Sequence, residues 1–223
     1  MPGTTAWVEV ASVARVLADA PERHEGWLSE SERARLDGLR HPARRDQYRA
    51  GHWLARNVLA RARGGVPVQW RLLERKGLPP AVHGYEAVRV SISHAGDWVA
   101  VAVAEVPVGI DLELRARVLD AALEPLLRNA DEAPGTLDAD ALLQRWVAKE
   151  AWIKRDAGSA LPGRLEHLHL QESARDRADV CLDSHDRFHL GVAIAPACRV
   201  ERRAGVVLTP GVAYRVTDRT PPR

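Results

Sequence analysis

Apolar positions recur at helical spacing between Ser29 and Arg63, where Leu36, Leu39, Tyr48, Trp53, Leu54, Val58 and Leu59 mark turn after turn. Pro42 has no amide proton to give to a helix interior, so it divides this stretch into two helices with arginine-rich polar faces. From Ala87 the period drops to two. Val88, Val90 and Ile92 alternate with Arg89, Ser91 and Ser93, and His94-Ala95-Gly96-Asp97 turns the chain. Residues 98–104 predict a second strand, apolar enough to be covered on both faces, and residues 108–113 a third beyond Pro107. The three read as an antiparallel meander. A helix is expected over 116–129, then an acidic Pro/Gly loop over 130–135. A longer helix follows, capped by Thr136 or Asp138 and stopped at Gly158. Short strands are expected at 166–170, 178–182, 188–194 and 212–216, and the tail at 220–223 reads as disordered. Helices precede strands in each half. The pattern therefore predicts an α+β protein made of two similar α+β halves, 1–106 and 107–223, each with helices packed on an antiparallel sheet of three or more strands. No sequence repeat accompanies this likeness, which rests on element order alone.

Composition narrows the function classes. The chain has 223 residues, 46% hydrophobic and 28% charged, which supports a real core and excludes disorder over most of its length. The longest apolar run, 98–104, is far short of the roughly 20 residues a membrane span needs. The N-terminus shows no basic region followed by an apolar stretch, so a cytoplasmic location is expected. With 32 basic against 30 acidic residues, bulk charge argues for neither a nucleic acid nor an anionic membrane as partner. Cys181 and Cys198 lack CxxC spacing and read as reduced core thiols. Lysine occurs only at Lys76, Lys149 and Lys154 in a chain otherwise supplied with arginine, and two of the three fall in one short segment.

That segment, Trp146-Val147-Ala148-Lys149-Glu150-Ala151-Trp152-Ile153-Lys154, sets Trp146, Glu150 and Lys154 at i, i+4 and i+8 along one helical stripe, with Lys149 flanking it. An exposed Glu–Lys pair would account for two of these residues. A compact ammonium set beside a phosphate would account for lysine where arginine could serve as well. In Gly109-Ile110-Asp111-Leu112-Glu113 the strand period puts both carboxylates on one face and Ile110 and Leu112 on the core side. Such a pair suits a hard cation like Mg2+, or else a solvated strand end beside Arg115 and Arg117. Ser91-Ile92-Ser93-His94 ends a strand where a hydroxyl and an imidazole could hold a phosphate. A hydrolase is excluded there, because Ser93 and His94 point to opposite faces and no G-x-S-x-G elbow occurs. His167 and His169 are separated from His185 and His189 by a charged loop, so the four are not read as a metal cluster, and Walker A and GxGxxG motifs are absent. The arginines between Arg33 and Arg56 mostly clothe helix surfaces.

In order and spacing, Val90-Ser91-Ile92-Ser93-His94, Gly109-Ile110-Asp111-Leu112-Glu113 and Trp146-x-x-Lys149-Glu150-Ala151-x-x-Lys154 resemble the signature of the 4'-phosphopantetheinyl transferase superfamily. The length resembles its surfactin-synthetase-activating type, in which one chain holds two similar α+β halves with the active site between them. Leu28-Ser29-x-x-Glu32-Arg33 and Asp46-Gln47-Tyr48-x-Ala50-Gly51 add weaker likeness, and the resemblance covers roughly residues 28–158. It implies transfer of the phosphopantetheine arm of coenzyme A to a serine of an acyl- or peptidyl-carrier protein, with release of adenosine 3',5'-bisphosphate. It further implies Mg2+, or Mn2+ in its place, on Asp111, Glu113 and Glu150, with Glu150 also taking the serine proton. Lys154 would neutralise the diphosphate, Ser93 and His94 would grip phosphate oxygens, and Arg35 would meet the 3'-phosphate region. Trp146 would be a packing residue, and one chain supplying both sides of the cleft implies a monomer.

Two departures stand out. Where the family usually has Gly-Lys/Arg-Pro at the nucleotide end of coenzyme A, this chain reads Lys76-Gly77-Leu78-Pro79, and Gln47 stands where an arginine is common. Two other classes compete with the transferase: a catalytically silent coenzyme A or carrier-protein binder, and a Mg2+-dependent phosphohydrolase using the same acids.

Overall fold

A computed structural model describes residues 4–22, 26–156 and 164–219. Within these residues the chain is α+β, with a six-stranded and a five-stranded sheet. It opens with β1 (Thr5–Ser12) and α1 (Val13–Ala18), followed by α2 (Glu30–Asp37) and α3 (Pro42–Arg63). Ser29 caps α2 in a capping box with Glu32, and Pro42 begins α3, so the break expected at this proline is present. Strands β2 (Leu72–Arg75), β3 (Leu78–Val82), β4 (Arg89–Ala95) and β5 (Trp98–Ala104) complete the first half. The second half holds β6 (Gly109–Leu114), α4 (Glu124–Leu127), α5 (Ala139–Arg155) and strands β7 (Leu168–Glu172) to β11 (Thr209–Asp218). Between those two strands lie β8 (Val180–Ser184), β9 (Phe188–Ala193) and β10 (Arg199–Ala204).

The first sheet runs β10-β1-β5-β4-β3-β2 and the second β6-β9-β8-β11-β7. All pairs are antiparallel except β1 with β10, which is parallel and brings a strand from the second half onto the edge of the first sheet. The expected meander of β4, β5 and β6 is corrected here. Strand β5 has β1 on one edge and β4 on the other, so it offers β6 no edge, and β6 pairs with β9 instead. The edge of β6 away from β9 is held by side chains, since the Ile110 and Leu112 amides donate to Ser91 Oγ and Ser93 Oγ, each at 3.1 Å.

Burial on both faces of β5 has a direct cause. Val99, Val101 and Val103 pack in a cluster with α3, whereas Ala100, Ala102 and Ala104 face Ile110, Leu112, Leu190 and Val192 of the second sheet. On the opposite face of that second sheet, Val147, Ala148 and Ala151 of α5 pack against Leu182 and Ala193.

The helix expected over 116–129 is also corrected. Only a 3-10 turn at Ala121–Leu123 and the short α4 form, because Pro125 restarts the chain and the Asn129 side chain bonds across to the Leu170 backbone, its Nδ2 donating to the carbonyl at 2.8 Å and its Oδ1 accepting from the amide at 2.9 Å. The strand expected from residue 166 begins at Leu168, after a 3-10 turn at Leu165–His167. Asp138, not Thr136, caps α5, accepting from the Ala141 amide at 2.8 Å. The stop expected at Gly158 and the tail at 220–223 lie outside the described residues. Cys181 and Cys198 are half-buried free thiols. No described helix is long and apolar enough to cross a membrane.

Candidate active site

The two predicted carboxylate positions meet the predicted helical stripe. Asp111 and Glu113 project from β6 toward α5, where Glu150 and Lys154 stand one turn apart. Glycines permit this close seating. A Cβ on Gly109 would collide with the Ala151 carbonyl oxygen, and one on Gly191 would come within 2.9 Å of Val147 Cγ1. Lys154 Nζ lies 2.5 Å from Asp111 Oδ1 and donates to Ser93 Oγ at 3.2 Å. Ser93 Oγ in turn donates to Asp111 Oδ1 at 3.0 Å. With the Leu112 amide also donating to it, the Ser93 hydroxyl has its one proton and both lone pairs committed inside the protein. It holds Asp111 and Lys154 in place.

These groups, with Arg44, Ile92, His94 and Trp146, line a cleft of about 260 Å³. A larger cleft of about 400 Å³ adjoins it, sharing Ile92, His94, Glu150 and Lys154, and continues to Arg35, Tyr48, Glu74, Gly77 and Pro79. Of the residues expected at the nucleotide end, Arg35, Gly77 and Pro79 therefore line this larger cleft. Lys76 is exposed and does not line that cleft. Gln47 lines it, but its Nε2 donates to the Gly96 carbonyl at 2.7 Å and its Oε1 accepts from Arg44 at 3.1 Å.

Crowding sets the electrostatics. Burial, and then the neighbouring Asp111, push the Glu150 carboxyl up to about 7, and the same two causes raise Glu113. Burial disfavours the Lys154 ammonium, yet Asp111, joined by Glu150 and Glu113, outweighs it and holds the lysine above its ordinary range. Burial and the facing Arg44 press His94 down to about 4, so its ring is neutral at neutral pH. The Arg44 guanidinium can only donate, so His94 Nδ1, 3.0 Å away, accepts and the ring proton sits on Nε2. His94 thus offers an N–H donor in the cleft it lines.

The donor set suits a hard divalent cation in its chemistry. Asp111 Oδ2 is buried with no hydrogen-bond partner among the described residues, and oxygen donors of this kind are the ones Mg2+ takes. The carboxylates are not drawn into a closed cage: among the described residues no three such groups converge as a ready-made metal site. Lys154 sits against Asp111, and Arg117 pairs with Glu113 while its guanidinium lies 4.7 Å from the Trp146 ring centroid.

Several cleft residues escaped the sequence analysis. Arg44 reads as one surface arginine among many, and only its i, i+3 spacing to Gln47 on the first turn of α3 could have marked it. Tyr48, His52 and Glu74 enter through tertiary packing. Lys149 is fully buried, its Nζ donating to the Leu126 and Leu165 carbonyls at 2.7 and 2.8 Å, so it ties α5 to its neighbours and stays outside the cleft. His169 bonds Asp131, whereas His189 bonds Ser184 and Asp140.

Fold and cleft together define an α+β protein in which β4, β6 and α5 bring three carboxylates, a lysine and a neutral histidine to one cleft, equipment suited to a phosphate-bearing ligand. No family model matches the chain. It is similar to the 4'-phosphopantetheinyl transferase psf-1 of Bacillus pumilus, 30% identical over 128 residues that cover 54% of this chain and 54% of that protein. The chain thus spans about half the length of the curated relative it matches.

Proposed function

We propose that this protein transfers the 4'-phosphopantetheine arm of coenzyme A to a serine hydroxyl of an acyl- or peptidyl-carrier protein, in a Mg2+-dependent reaction that releases adenosine 3',5'-bisphosphate. The observation that carries the reading is that Asp111, Glu113, Glu150 and Lys154 line one cleft, which shares Glu150 and Lys154 with the larger one, and the similarity to psf-1 supports it. Asp111, Glu113 and Glu150 would hold the Mg2+. Its chemistry when bound is to offset charge developing on the leaving bridging oxygen. Lys154, fixed by Asp111 and Ser93, faces the diphosphate, and the Nε2–H of His94 donates to a phosphate oxygen. The serine oxygen forms a bond to the phosphorus bearing the pantetheine, the bond from that phosphorus to the bridging oxygen breaks, and the serine proton passes to a Glu150 carboxylate oxygen. One chain supplies both walls of the cleft, which supports a monomer as the working form.

The test is intact-protein mass spectrometry of apo carrier proteins incubated with the protein, coenzyme A and Mg2+, with an EDTA control. The expected result is a metal-dependent gain of one phosphopantetheine arm. Glu150→Gln should lower the rate by about 10²–10⁴-fold. It should also melt no lower than the parent, because it relieves a crowded carboxylate. Coenzyme A bound without any product would point to a silent binder, and free phosphopantetheine formed without a carrier would point to a hydrolase. Either result overturns the proposal.

A further inference from the structure

The nucleotide end of the larger cleft is short of free positive charge. Resting on the transferase reading above, we infer that the 3'-phosphate of coenzyme A contributes little to recognition here, so that the protein also uses donors lacking it, with 3'-dephospho-coenzyme A as the representative. Most polar groups that face this cleft are already engaged inside the protein. His52 is held between two carboxylates, its Nδ1 2.7 Å from Glu32 Oε1 and its Nε2 3.2 Å from Glu74 Oε1. Tyr48 Oη donates to the same Glu74 oxygen at 2.7 Å, and the Tyr48 and His52 rings stack with centroids 4.1 Å apart. Gln47 is neutral and tied to the Gly96 carbonyl, and Lys154 is tied to Asp111. Lys76 lies outside the cleft.

That leaves Arg35, exposed on α2, as the lining cation with no ion-pair partner among the described residues. Glu74 lines the same cleft as a half-buried negative charge. A phosphate monoester carrying close to two negative charges meets one mobile arginine and one carboxylate. The first attracts it, the second repels it, and the exposed arginine is the more screened of the two. Adenosine without the 3'-phosphate loses little there.

The experiment compares kcat/KM for coenzyme A and 3'-dephospho-coenzyme A with the same apo carrier and the same Mg2+. Calorimetric binding of adenosine 3',5'-bisphosphate and of AMP gives a readout independent of turnover. The two donors are expected within about tenfold of each other, and the two nucleotides likewise, since one exposed ion pair contributes little to binding. Glu74→Gln should raise the preference for the 3'-phosphate at least about threefold by removing the opposing charge. Arg35→Ala, a change on an exposed helical surface, should shift the preference toward 3'-dephospho-coenzyme A, because only the repulsion from Glu74 then remains. A preference for coenzyme A above about a hundredfold, a gap of roughly 2.7 kcal/mol, would overturn the inference while leaving the transferase reading intact. Transfer from neither donor would overturn both.

Discussion

Glu32 and Arg56 are both fully buried, and each gains its stability from the other. Arg56 makes two hydrogen bonds to the Glu32 carboxylate, at 2.8 and 2.6 Å, and a third to the Trp27 carbonyl at 2.9 Å. The Ser29 amide and His52 Nδ1 complete the set around Glu32. Burial alone would raise the Glu32 carboxyl, but the hydrogen bonds from His52 and Arg56 outweigh it and hold the group down at about 2. A carboxyl depressed in the folded state stabilises the fold above its ordinary pKa of 4.5 and loses that contribution as pH falls toward about 2. Glu32→Gln is therefore expected to cost about 3–5 kcal/mol at pH 7, because it strands a buried guanidinium. The gap to the parent should narrow between pH 4.5 and 2; denaturant melts across that range give the answer, and a constant gap would refute the assignment. The serine–glutamate spacing of the capping box is legible in the sequence. The link from Glu32 through His52 to Glu74 is not, since it joins α2, α3 and β2 through side chains far apart in the chain.

At the scale of elements, the seating of α5 on β6 and β9 decides whether the site exists. Its first-order cause is the absence of side chains at Gly109 and Gly191, which lets the helix lie close enough for Glu150 and Lys154 to meet Asp111 and Glu113. Gly109→Ala would press a methyl group against backbone of α5, which cannot give way, whereas Gly191→Ala meets chiefly the Val147 side chain and its carbonyl. Both should destabilise by about 1–3 kcal/mol through overpacking, with Gly109→Ala the more severe. Gly109→Ala should also depress carrier modification beyond what the lost stability explains, measured at a temperature where thermal melts show both proteins folded. The opposite order of severity would mean that helix seating is not what these glycines provide. Strand and helix periods reveal which faces carry the acids and the lysine, but not how closely the two faces approach.

For the whole molecule, the two sheets are joined in ways that discourage independent unfolding. Strand β10 of the second half pairs with β1 of the first, β4 serines accept from β6 amides, and alanines of β5 pack against the second sheet. Differential scanning calorimetry should accordingly show one cooperative transition, and two separable ones would contradict this coupling. The sequence by itself determined what is local. The period of two put Asp111 and Glu113 together, the period of 3.6 aligned Glu150 with Lys154, and Pro42 divided the N-terminal helices. Those features depend on neighbours a few residues away, so composition and spacing carry them. Tertiary structure decided the rest: that β6 leaves the meander for β9, that the polar strand β10 finds a parallel partner, and that Arg44, Tyr48 and Glu74 reach the cleft. A strand pairs wherever a free edge of the right register is offered, and that edge lies up to two hundred residues away with no local signal to announce it.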